Sequence, residues 1–194
     1  LAWFFALTVL MYAFSHVPFV FGQPFIQQAL AGSAWTDETP AVAGAVTAAM
    51  MAVSLLVSLA APKLRVRLGL TRLLLLAFAF QIALPGVLAL AAGPLAILLL
   101  LARMIPDALA RPFVLARIQS LLADDGRATY LSLQSLVGRL FFAGTLWLAA
   151  SGTAEIGAMP AADLRAILGT YAIGGVAAFT ILALTARGLP LDRR

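Results

Sequence analysis

Along this chain apolar residues run in six long stretches, and polar residues gather in the short breaks between them. The stretches lie near Leu1–Gln28, Pro40–Ala61, Leu70–Ala92, Pro94–Ile118, Thr129–Ser151 and Leu164–Ala186. A helix needs roughly 20 apolar residues to cross a hydrocarbon core of about 30 Å, so each stretch is long enough to span a bilayer. The runs are continuously apolar rather than alternating with period two, which argues against a β-barrel. The breaks carry turn and capping residues: Gly32-Ser33, Pro62, Gly93-Pro94 and Asp124-Asp125-Gly126. The pattern predicts an all-α polytopic membrane protein with six transmembrane helices.

Composition removes the soluble alternative. The chain is 63% hydrophobic and 11% charged, where ordinary globular chains carry about 25% charged residues. Charge then orients the spans. Lys63, Arg65, Arg67 and Arg72 lie between stretches 2 and 3, Arg117 and Arg127 between 4 and 5, and Arg187, Arg193 and Arg194 after 6. The alternate breaks hold Asp37, Glu38, Glu155 and Asp163, with Arg165 as their only cation. Basic loops stay on the cytoplasmic side, so both termini of this chain are expected in the cytoplasm, in a bacterial inner (plasma) membrane. The net charge of +5 does not indicate a nucleic-acid partner, because the basic residues sit in short loops beside apolar spans, as topology signals and lipid-headgroup contacts do.

Enzyme chemistry finds no footing. There is no cysteine and a single histidine, which excludes a disulfide framework and a zinc or iron cluster. No P-loop, nucleophile elbow, metalloprotease or dinucleotide motif is present. The expectation is a protein without catalytic residues, metal or cofactor. The chain begins at Leu1, already apolar and without an initiating Met, and is expected to be a piece of a longer protein.

Polar residues inside the apolar stretches divide them. Stretches 3 and 6 are nearly free of strongly polar side chains: Gln81 alone interrupts the third, and the sixth carries Thr170, Tyr171 and Thr180. Ionisable groups in a membrane are costly and face a protein interior or a wet cavity. Stretches 1, 4 and 5 are therefore expected to approach an internal path, and 3 and 6 to face lipid. In stretch 1, Tyr12, His16, Phe19, Gln23 and Gln27 make one helical stripe. Pro18, Gly22 and Pro24 interrupt it, as happens where a cavity can resatisfy freed backbone groups. Two readings stand: a wall that handles substrate or protons, with His16 titrating near neutral pH, or a kinked helix packing its polar face on neighbours.

Stretch 4 places Arg103, Asp107 and Arg111 at i, i+4 and i+8, with the first two about 14 and 20 Å deep at 1.5 Å per residue. They form either a charged site whose ion pair opens during transport or a permanent pair joining helices. Arg111 sits where it can snorkel to the interface, and Pro106 and Pro112 permit bends. Stretch 5 carries Ser132, Ser135, Arg139 and Phe142 as another stripe, with Arg139 about 15 Å from the inner end of its helix. Two mid-membrane arginines against one aspartate leave excess positive charge, which an anionic substrate or an acidic residue elsewhere would relieve. Gly44 and Ala48 in stretch 2, and Gly169, Gly174, Gly175 and Ala178 in stretch 6, are read as small residues for close helix packing.

Three places together resemble the C-terminal half of a major facilitator superfamily transporter. PKLRVRLGLTR at 62–72 is similar to the basic loop between the second and third helices of such a half, without the acidic residue of the strongest form of that motif. Residues 103–140, with Arg127, Ala128, Thr129, Ser132, Ser135 and Arg139, resemble the tenth helix, cytoplasmic turn and eleventh helix. The FGQPF break of stretch 1 resembles a seventh helix. The resemblance implies two inverted three-helix repeats, about 1–92 and 94–194, and a missing N-terminal six-helix half in the same chain. It implies that stretches 1 and 4 line a central cavity, that 2 and 5 help, and that 3 and 6 lie outside. A small-molecule substrate would then meet Tyr12, His16, Gln23, Arg103, Asp107, Ser135 and Arg139, with proton or ion coupling through His16 or Asp107. Lys63, Arg65 and Arg67, facing Asp124 and Asp125, would form a cytoplasmic latch, unless all five are solvated topology signals. The alternative is a self-contained six-helix channel or membrane scaffold or assembly protein.

Overall fold

The computed structural model describes residues 1–22, 26, 30, 32, 38–90, 94–151, 160–189 and 191. Among them the chain is helical throughout and holds no strand. Seven helices follow in order: α1 (Ala2–Val20), α2 (Thr39–Leu68), α3 (Leu70–Leu90), α4 (Pro94–Leu100), α5 (Ile105–Leu121), α6 (Asp124–Ala150) and α7 (Ala161–Ala186). Five of them, α1, α2, α3, α6 and α7, are long and apolar enough to cross a membrane. This is an all-α integral membrane protein.

Two boundaries differ from the sequence pattern, each for a local reason. Pro62 does not end α2: the helix runs through it to Leu68 and stops at Gly69, whose φ of 78° lies in the left-handed region that a side chain disfavours. Lys63, Arg65 and Arg67 are therefore the last turns of a helix, not a loop. Likewise Asp124-Asp125-Gly126 is the first turn of α6, where two carboxylates suit the positive end of the helix dipole.

The fourth apolar stretch is not one helix. Between α4 and α5, residues 101–104 form tight turns, with the N–H groups of Leu101, Ala102 and Arg103 each bonding the carbonyl three residues back. Pro106 explains the break. It has no N–H to give the Ala102 carbonyl, and Ile105 takes that acceptor instead at 3.1 Å.

Packing centres on α1, α3 and α7. The most extensive contact is α3 against α7, followed by α1 against α6 and α3 against α5. Phe4, Leu7, Val17, Leu73, Leu74, Phe78, Leu164 and Leu168 are among the fully buried side chains there. Half of the apolar window of α3 is buried, against 6% of that of α2. The third stretch is thus a central helix rather than the lipid-facing one that its lack of polarity suggested.

Gln81 is why a polar residue survives in it: only 2% exposed, its side-chain amide donates to the Met11 carbonyl at 3.0 Å. A second link ties the Trp3 indole N–H to the Leu182 carbonyl at 3.1 Å. With the start of α6 beside the start of α1 through Tyr130 and Leu1, and Arg65 of α2 over the Phe113 ring of α5, the basic helix ends gather at one end of the bundle. Asp163 and Arg165, in the first turns of α7, lie at the other.

Candidate functional site

The break between α4 and α5 separates Arg103 from Asp107 and Arg111, which stay one turn apart on α5. Arg103 sits in the turn and points toward the end of α1, with its guanidinium carbon 5.1 Å from the centre of the Phe19 ring. A Cβ added at Gly22 would lie 3.9 Å from the same guanidinium, in ordinary contact, so Gly22 borders the cation. Asp107, one turn into α5, answers to other neighbours: the charges acting on it are Arg111 first and His16 second. No ion pair joins Arg103 to Asp107.

Arg103 lines a cavity of 380 Å³ between the end of α1, the first half of α2 and α4. Among the described residues its walls are Phe19, Gly22, Val46, Met50 and other apolar side chains, and its polar members are Arg103 and Thr47. The Thr47 hydroxyl donates to the Ala43 carbonyl at 2.8 Å, so it offers a ligand only lone pairs. Thr47 lies about 12 Å along α2 from its start.

His16 belongs to a neighbouring cluster on the seam of α1 and α6. Its ring stacks on Tyr12 at 4.1 Å between centroids and approaches Phe142 at 5.3 Å. Its Nδ1 lies 2.7 Å from the Tyr12 carbonyl. A carbonyl only accepts, so Nδ1 carries the proton and donates; Nε2 is then the nitrogen left for exchange. Tyr12 packs flat on Gly138, where a Cβ would come within 3.1–3.3 Å of the ring. That contact is how α6 closes on α1.

No family model, curated protein or solved structure matches this chain. The site is characterised by its residues alone.

The structure brings Tyr12, His16 and Phe142 together and sets His16 within the field of Asp107. It does not bring Arg139 to them: that residue is exposed on α6, and Ser135 is half-buried on the same helix. Gln23, with Gln27 of the same stripe, lies outside the described residues. At the basic end, Asp124 pairs with Arg127 of its own helix, while Asp125, Lys63, Arg65 and Arg67 are exposed. The five latch candidates are not joined to one another.

Some of the site was hidden in the sequence. Thr47 and Val46 reach the cavity from a helix whose composition signals only packing, and nothing in their spacing marks them. Gln81 carried a signal, as the single polar residue of an apolar helix. A second cavity, of 470 Å³, opens between α6 and α7 over α1. The Tyr171 hydroxyl donates to Thr145 there at 2.9 Å, and Asp163 is the charged residue on its wall.

Proposed function

We propose that this chain is half of a secondary transporter that moves a small solute by alternating access. In this reading α4 and α5 together make a sixth, broken span, and a further six-helix half belongs to the same protein. The observation that supports it most is the cavity beside the α4–α5 break, lined by α1, α2 and α4 and holding the intramembrane charge of Arg103. A charge kept at that depth is costly unless it serves a ligand or a partner, and a broken helix beside it is what midplane binding sites are built from. Stretches 1, 2 and 4 are among those that the resemblance to the major facilitator superfamily assigns to the cavity; stretch 5, which it also assigns there, contributes no described residue to this wall.

His16 and Asp107 then carry the coupling proton, with Nε2 of His16 as the group that gains and loses it. The basic helix ends face the cytoplasm, in a bacterial inner membrane, by the same charge rule that orients other inner-membrane proteins. A channel or assembly factor of six helices is the competing reading, and no particular contact favours it.

The test begins with the native reading frame and the mass of the native protein. Six further spans upstream are expected. The purified full-length protein in proteoliposomes should then dissipate an imposed pH gradient when a transported solute is added, and Asp107→Asn should abolish that response. A native chain ending near the limits of these 194 residues, or solute flux indifferent to the pH gradient and to Asp107→Asn, would overturn the proposal.

A further inference from the structure

The Arg103 cavity limits what can occupy it, and we infer that it takes small monocarboxylates with an apolar body, the carboxylate on Arg103 and the tail against Phe19, Val46 and Met50. This deepens the transport reading and rests on it for the role of the site, though not for the chemistry of binding.

Charge sets the headgroup. The ring face of Phe19 engages the charge of the guanidinium, not its hydrogen-bond donors. An arginine has five N–H donors in a planar fork, and no described residue accepts from Arg103. A carboxylate matches that fork with two parallel hydrogen bonds. Asp107 does not occupy this position, since no ion pair joins it to Arg103. An ammonium headgroup would meet a cation, and a neutral amide would leave the charge unneutralised.

The rest of the wall sets the body and the number of charges. Apart from Arg103 and Thr47 its described wall is apolar, and the Thr47 hydroxyl already donates its hydrogen bond to the Ala43 carbonyl. A second carboxylate would find neither a free donor nor a cation among the described lining residues, and burying it unpaired is strongly unfavourable. The 380 Å³ volume falls at the small end of ligand cavities, which run from about 300 to 1,000 Å³. That suits a compact aliphatic or single-ring acid.

The experiment compares four probes of one skeleton, hexanoate, hexanamide, hexylamine and adipate, binding to the purified full-length protein in nanodiscs by calorimetry. Hexanoate is expected to bind roughly tenfold to a hundredfold more tightly than hexanamide, the margin of a charge-assisted hydrogen bond, and more tightly than adipate or hexylamine. Arg103→Gln should erase the preference for hexanoate over hexanamide, while Arg103→Lys, which keeps the charge, retains part of it. Val46→Trp should weaken hexanoate by filling the apolar wall without touching the charge, which gives a second variant if Arg103→Gln fails to fold. Equal binding of the four probes, a preference for the amine, binding unchanged in Arg103→Gln, or no binding of any probe at millimolar concentration overturns the inference. If the protein carries a cation or a neutral solute in proteoliposomes and shows one of those results, the substrate class falls and the transport reading stands. If carboxylates bind with the expected preference and no solute moves, the transport reading falls and the site stands.

Discussion

Helices α2 and α3 are close to equally apolar, with mean hydropathies of 2.1 and 2.4 over their spanning windows, yet 6% of one window is buried and 50% of the other. Apolarity places a helix in the membrane and says nothing about which faces meet protein, because lipid tails are as apolar as leucine. Shape makes the difference. On α7, Gly175 lets the helix close on α3 and α1 so tightly that an added Cβ would stand 2.8 Å from Ile82 and from Phe14. On α2, nothing lies within 4 Å of a Cβ added at Gly44, and Met51, Leu55, Leu56 and Leu59 turn outward.

The sharpest way to break this comparison is at Gly175. Gly175→Ala should cost about 1–3 kcal/mol or more, the range for overpacking a tight core, read as a lower unfolding temperature in detergent. Gly174→Ala, its neighbour with open space around the new Cβ, should leave that temperature unchanged. Equal effects at the two positions would refute a shape-determined seam. Gly138→Ala comes next, at about 1 kcal/mol, since its contacts with Tyr12, at 3.1–3.3 Å, are looser than those at Gly175. It should also disturb the stacking of Tyr12 on His16, visible as a change in the His16 imidazole resonance.

Gln81→Leu should cost less, about 0.6 kcal/mol and at most about 1.7, the measured span for hydrogen bonds between membrane helices. Smallest is Leu56→Ala on the outer face of α2, within about 0.5 kcal/mol for a side chain without protein neighbours. That last measurement sharpens the contrast if repeated on the full-length protein. A cost rising to about 2 kcal/mol there would mean that protein, not lipid, covers α2.

How much of this was legible in the sequence follows from the same contrast. The apolar runs gave the membrane class and the extent of α3 and α7 within a few residues, because run length is a property of the chain alone. The facing of helices was not legible. Lack of polarity pointed α3 to lipid, whereas packing put it at the centre, and Gly175 looked no different from Gly169 or Gly174, neither of which has anything within 4 Å of an added Cβ. At the site, the intramembrane charges and the His16 stripe were visible, but their grouping was not. The i, i+4, i+8 spacing assumed an unbroken helix, and the turn that Pro106 imposes sent Arg103 and Asp107 to different neighbours.

The connection at Gly69 has a mechanical consequence. A single residue joins α2 to α3. So short a joint has no slack. A displacement at the end of α2 is therefore met directly by the start of α3. The span with the smallest buried share is thereby joined to the central one, and through Gln81 to the backbone of α1.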